Sequence, residues 1–180
     1  LKLAAITVLG NKTGILPLDP VIKEVAVLNV GDTKEIQPFI RQISEYTHPV
    51  EFQLGKELSD SARTNLKNKL SQFKRILVCV TEHRLTPYQS FFAEFAPDVP
   101  VVYLFFIPGK QVLQIHRGVS AAGTMILAHS SDDEVQTQVA KILYADAAAD
   151  GKLSASIGNL FAAGEGVVLG TGAEPRFVPE

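Results

Sequence analysis

The sequence predicts an α/β fold: a three-layer sandwich whose mainly parallel sheet of five to six strands carries helices on both faces. Three observations lead there. Residues 76–80, 101–106 and 124–128 are apolar runs without polar alternation, as expected of strands covered on both sides. Each run follows a turn and leads into a segment of helical periodicity, which supplies the crossover that parallel neighbours need. Strand and helix patterns alternate five times with short connections, the order of an α/β domain.

Residues 1–19 read as an opening arm. An apolar run at 4–9 is extended or briefly helical, a turn follows at 11–14, and Pro17 excludes a central strand after it. Residues 24–30 form the first buried strand. Ile36, Phe39, Ile40 and Ile43 then mark one helix face, with Pro38 in the first turn, where its missing N–H costs nothing. Residues 50–54 alternate in the manner of a strand nearer the sheet edge. Ala62, Leu66, Leu70 and Phe73 mark the next helix, capped by Ser59 or Asp60.

After the third strand, which ends at Thr81, Thr86-Pro87-Tyr88-Gln89 predicts a capped helix start with Phe91, Phe92 and Phe95 facing inward. A fourth strand and a short helix ending at Gly118 follow. The fifth strand runs to His129. Ser131 to Glu134 has the spacing of a capping box, and Val135, Val139, Ile142 and Leu143 form the buried stripe of the last helix. Residues 152–172 are rich in Gly and Ala and read as loops wrapping the domain, with room for one extra strand. The sandwich therefore spans 20–172, and 173–180, with two prolines, reads as a linker-like tail.

At 180 residues, with 46% hydrophobic and 20% charged residues, the chain suits one soluble core. A net charge of −2 with both signs interspersed offers no field for nucleic acid. No apolar run approaches the roughly 20 residues of a membrane-spanning helix. The single cysteine, Cys79, reads as an inert core thiol. The chain begins at Leu1, its opening residues do not read as a signal peptide, and it is expected to be part of something longer.

In an open α/β sheet, ligands meet the loops at the carboxyl ends of the strands. Those loops hold Gly31-Asp32, Glu82-His83-Arg84, Pro108-Gly109-Lys110 and His129 to Asp132. Glu82 and His83 suit a general acid and its neighbour, or ligands of sugar hydroxyls; the plainer reading of Glu82, His83 and Arg84 is a solvated loop. His129 suits a hydrogen-bonded structural histidine better than a ligand. Ser130 and Ser131 suit helix caps, since no G-x-S-x-G elbow surrounds them. Asp132 and Asp133 are adjacent, poor geometry for paired carboxylates but suited to a helix amino terminus. No G-x-G-x-x-G fingerprint or phosphate loop is present, and four scattered histidines with one cysteine give no metal spacing. No cofactor is expected, and the residues alone assemble no complete catalytic constellation.

Two segments at opposite ends together resemble a known family. Ala5 to Asn11, followed by Ile15-Leu16-Pro17-Leu18, resembles the "S-I-T-L-L-K-N … L-L-P-L" opening of the second domain of family 3 glycoside hydrolases. Asp146 to Ile157, centred on Asp150-Gly151-Lys152-Leu153, resembles that domain's "G-x-x-x-P-S-G-K-L-P-V" exit, and Leu160-Phe161 with Gly164 to Val167 its closing segment. The likeness covers roughly residues 1–170. It implies removal of β-linked sugars with retention by a carboxylate nucleophile and a general acid/base. The nucleophile belongs to a preceding (β/α) barrel, the implied partner, and the substrate is a carbohydrate. In β-glucosidase-like members a glutamate of the sandwich supplies the acid; in the N-acetylglucosaminidase-like branch a histidine on a barrel loop does so. Members usually act on extracellular or periplasmic glycans. Here Gly10 replaces the usual Lys, Ser154 replaces a Pro, and His129 to Asp133 stands where the family has "P-G-Q-x-G-G". With the short loop at Glu82, these departures favour the N-acetylglucosaminidase-like branch, in which this domain is accessory. The alternatives are a β-glucosidase-like member in which Glu82 is the acid, and a free-standing flavodoxin-like ligand-binding module.

Overall fold

The computed structural model describes residues 2–11 and 14–172; the tail expected at 173–180 lies outside them. Among the described residues, six strands form one sheet: β1 (Thr7–Leu9), β2 (Glu24–Val30), β3 (His48–Gln53), β4 (Ile76–Val80), β5 (Val101–Phe105) and β6 (Met125–Leu127), in spatial order β1-β6-β5-β4-β2-β3. All neighbours are parallel except β1, which runs antiparallel to β6 with Thr7 opposite Leu127. Every residue of β4, β5 and β6 is buried, which is why these runs show no alternation. The edge strand β3 alternates exposed and half-buried positions, as its pattern predicts.

Among the described residues, five α-helices cover the two faces. On one side α1 (Gln37–Ile43) and α5 (Asp133–Leu143) bury Phe39, Ile43, Val135, Val139 and Leu143 against Val27, Cys79 and Leu104. On the other, α2 (Asp60–Leu70), α3 (Gln89–Ala93) and α4 (His116–Ala122) bury Leu70, Phe91, Phe92 and Val119 against Leu28, Val78 and Tyr103. Successive strand residues face opposite sides, so the two clusters share strands but alternate in parity. Only Leu70 of α2 is buried. Ser59 caps that helix, its Oγ accepting the Ala62 N–H at 3.2 Å.

Four local expectations are corrected. Thr86 caps no helix: it lies inside a 3-10 turn, Thr86–Tyr88, and its hydroxyl donates to Gln114 Oε1 at 3.2 Å, beside the Leu85 N–H at 2.8 Å. The fourth helix does not end at Gly118 but continues to Ala122, where Gly123 closes it in the left-handed conformation that glycine adopts freely. The last strand stops at Leu127, and His129 has already turned to φ +67°. Finally, the capping box at Ser131 is not formed. Asp132 is the cap position of α5, and the Ser131 hydroxyl is drawn instead to Glu35 Oε2 at 3.0 Å.

The opening and closing segments meet. The Val167 N–H donates to the Val8 carbonyl at 2.7 Å, and Ala149 pairs with Leu169 through isolated bridges rather than a strand. Gly151 lies against Ile6 and Thr7. The two segments that carry the family resemblance are thus in contact along β1, which is part of the sheet.

Candidate functional site

The connections change direction between β2 and β4: β2 leads outward to β3, whereas β3 returns past β2 to β4 and the chain continues to β5 and β6. This switch point, at the carboxyl ends of β2 and β4, is where open α/β sheets receive ligands. Glu82 stands there. It is half-buried, its Oε1 lies 3.8 Å from Lys56 Nζ, and its Oε2 faces the Arg84 N–H at 3.5 Å. His83 and Arg84 are exposed. The loop that carries them is held from below by Gln114, which accepts from both Leu85 and Thr86. Tyr88 follows beneath the loop, its phenol pushed up by burial and by the Glu82 carboxylate.

The second predicted cluster does not join the first. Strand β5 separates β4 from β6, two interstrand spacings or about 9–10 Å. At the end of β6, burial near the Ala5 backbone lowers the His129 pKa from its ordinary value, partly offset by a hydrogen bond to Ala5. Ser130 Oγ accepts the Asp132 N–H at 3.1 Å, a local turn. Asp132 pairs with Lys2, and this contact holds the carboxyl below, and the ammonium above, their usual values. Both groups are exposed, so the pair contributes little to stability. Together with Lys34, Glu35, Arg41 and Glu134 they line a broad open groove of about 760 Å³ between the amino ends of α1 and α5. Among the described residues, no three His, Cys, Asp or Glu side chains gather as a metal site would need.

The groove is fixed by a residue that sequence reasoning missed. Gln136 is fully buried, and its Oε1 accepts the Phe39 N–H at 3.1 Å. Its Nε2 donates to the carbonyls of Glu35 at 2.6 Å and Ser131 at 2.8 Å. The α1 cap position is Ile36, which has no side-chain oxygen to offer, so Gln136 caps α1 from α5 and ties both carboxyl-end loops to one point. A signal was available. Residue 136 lies three before Val139 and seven before Leu143, on the buried face, where an amide requires partners.

No family model matches the sequence, and no curated protein does. Solved structures do match. A fungal multi-domain family 3 β-N-acetylglucosaminidase with a GCN5-related glucosamine N-acetyltransferase region superposes over 90% of this chain with a TM-score of 0.71 at 12% identity. A family 3 β-N-acetylglucosaminidase from Paenibacillus sp. str. FPU-7 gives 77% and 0.59 at 14% identity. The β-D-glucoside glucohydrolase from Trichoderma reesei gives 87% and 0.55 at 13% identity. The fold is one found within family 3 glycoside hydrolases. The chain takes up 19%, 28% and 29% of those three chains, respectively. No helix among the described residues is long and apolar enough to cross a membrane.

Proposed function

We propose that this chain is the α/β-sandwich domain of a family 3 glycoside hydrolase of the N-acetylglucosaminidase-like branch. In this reading it is accessory to a (β/α) barrel that supplies the nucleophile for hydrolysis of β-linked sugars with retention, and it is inactive alone. The observation that carries the reading is the scale of the match: nine-tenths of this chain fits within a fifth of a multi-domain N-acetylglucosaminidase. The direction of β1 supports it. Because β1 runs antiparallel to β6, Lys2 sits at the carboxyl ends of the other strands, beside Asp132. A barrel joined upstream would meet the sheet at that end, where Glu82, His83, Arg84, His129 and Ser130 also lie. The charged groove there suits a polar interface between domains. The sandwich is taken as 20–172, with 1–19 as the entry arm whose strand β1 completes the sheet.

A β-glucosidase-like reading, with Glu82 as the acid/base, is favoured by one observation: Glu82 is the half-buried carboxylate at the switch point. A matched pair separates the readings, namely this chain alone and the chain extended upstream, each assayed on chromogenic β-N-acetylglucosaminide and β-glucoside. The accessory reading expects activity only in the longer form, unchanged by Glu82→Gln. Collapse of that variant with rescue by azide would make Glu82 the acid/base. Turnover by the short chain would refute both.

A further inference from the structure

A separate cleft of about 300 Å³ lies between α3 and the start of α4, on the opposite face of the sheet from the charged groove. Gln89, Ser90 and Ala93 line one side, His116 and Arg117 the other, and the buried Ile115 gives it an apolar floor. The two walls are tied together. Gln114, in the 3-10 segment Gly109–Ile115 that leads into α4, accepts from the Leu85 N–H at 2.8 Å and the Thr86 hydroxyl at 3.2 Å, in the turn that leads into α3. The width of the cleft is therefore set before anything binds. His116 is oriented as well. Its Nδ1 lies 3.1 Å from the Leu113 carbonyl, which can only accept, so Nδ1 carries the proton and Nε2 is left for solvent or a ligand. The chain has 19 acidic residues against 17 basic ones, yet among the described residues no carboxylate lines this cleft. Lys2, Lys56 and Lys67 each sit beside a carboxylate. Among the described residues, Arg117 and His116 pair with none.

We propose that the cleft between α3 and α4 is a binding site for a small oxyanion with a short apolar body, a carboxylate or a phosphate monoester. Two of its oxygens pair with the Arg117 guanidinium, whose planar fork matches them. The Ser90 hydroxyl and the Gln89 amide supply further donors, and the apolar body rests on Ile115 and Ala93. A solvated pair of surface cations attracts every anion alike. A fixed cleft with one fork, two neutral donors and an apolar floor favours an oxyanion over chloride. The glycosidase reading assigns nothing to this cleft, and the site does not rest on that reading.

The test titrates the whole chain with butyrate, with monobutyl phosphate, and with chloride at matched ionic strength, following backbone amide NMR signals. Saturable shifts at Ser90, His116 and Arg117 are expected with butyrate or monobutyl phosphate at millimolar concentration. Because the two share one apolar body, the one that saturates first tells a carboxylate from a phosphate monoester. Arg117→Gln is expected to bind roughly tenfold more weakly, the loss of one charge-assisted pair, and to melt as wild type because the side chain is exposed. Arg117→Lys, which keeps the charge and loses the fork, should fall between the two. Arg41→Gln, in the groove on the other face, should bind as wild type. Equal shifts with chloride would overturn the site, as would a lack of saturation with both organic anions. An Arg117→Gln variant that binds as tightly as wild type would overturn it too. Failure of the cleft leaves the accessory reading untouched, and an upstream-extended chain without glycosidase activity bears on that reading alone.

Discussion

Replacing Gln136 with Met keeps the length and apolar stem of the side chain and removes all of its hydrogen bonds. The Phe39 N–H in the first turn of α1 loses its only side-chain cap, a loss of about 1 kcal/mol in ordinary helices. The carbonyls of Glu35 and Ser131 lose a donor each, about 0.5–1.5 kcal/mol apiece where water replaces it incompletely. The expected net loss is roughly 2–4 kcal/mol. For a domain of this size that lowers the melting point by roughly 5–15 °C. Urea and thermal unfolding followed by circular dichroism measure it. A change below about 0.5 kcal/mol, the range of uneventful surface substitutions, would refute the claim that Gln136 caps α1.

Gln136→Glu tests the same geometry through pH. One carboxylate oxygen can accept from Phe39, but the other meets the two carbonyls, which only accept. The side chain must therefore keep a proton, and its folded pKa must rise above the ordinary value of about 4.3. The folded state then binds more protons than the unfolded state above that value. Stability is retained at acid pH and falls as pH rises through the folded pKa. A flat profile would show that the amide's donor side is dispensable.

Other positions test other parts of the structure. Gly118 lies inside α4, where Gly→Ala ordinarily gains about 1 kcal/mol. A Cβ there would lie 2.4 Å from the Tyr103 hydroxyl and 3.1 Å from the Phe92 carbonyl, so Gly118→Ala should instead destabilise by about 1–3 kcal/mol, and a raised melting point would refute that packing. Cys79 is fully buried, and burial pushes its thiol pKa upward; it should resist a thiol reagent in the native protein and react only at the rate of unfolding. Because burial lowers the His129 pKa, the unfolded chain binds more protons in the window just below 6.5. Stability should rise with pH across that window and be lost as pH falls through the folded value. His129→Asn, which tolerates φ +67°, should flatten that slope in urea titrations at a series of pH values.

The central strands were readable because burial on both faces leaves an unbroken apolar run, as at residues 76–80. The three residues of β1 are too few to show a period, and their strand identity comes from pairing with β6, a contact of high sequence separation. The α4 boundary was misread because Gly118 and Gly123 look alike in sequence. One admits a neighbouring phenol and the other ends the helix with a positive φ. The capping box failed for a tertiary reason: Ser131 and Asp132 have partners in Glu35 and Lys2, outside their own helix. The residues at the switch point could have been noticed. Asn29 interrupts an apolar run just before its carboxyl end, and Thr81 ends the next strand inward. What the sequence could not show was that strand order makes them neighbours.

Two of the buried polar positions on the α1–α5 face, Gln136 and Thr81, predict opposite signs, and the contrast follows from their hydrogen bonding. Gln136 and Thr81 are both at least 96% buried, and both lie near the carboxyl ends of the strands. Gln136 has each of its polar atoms bonded within the fold, so an apolar replacement strands three backbone groups and must destabilise. Thr81 Oγ1 has no partner, so an apolar isostere removes a desolvation cost of about 1–3 kcal/mol and must stabilise. Hydrophobicity alone would predict stabilisation at both positions, and loss of polar contacts alone would predict destabilisation at both. Only the bonding pattern predicts a fall at Gln136→Met together with a rise at Thr81→Val. Two changes of the same sign would mean that the hydrogen-bond geometry of this face is wrong at one of them.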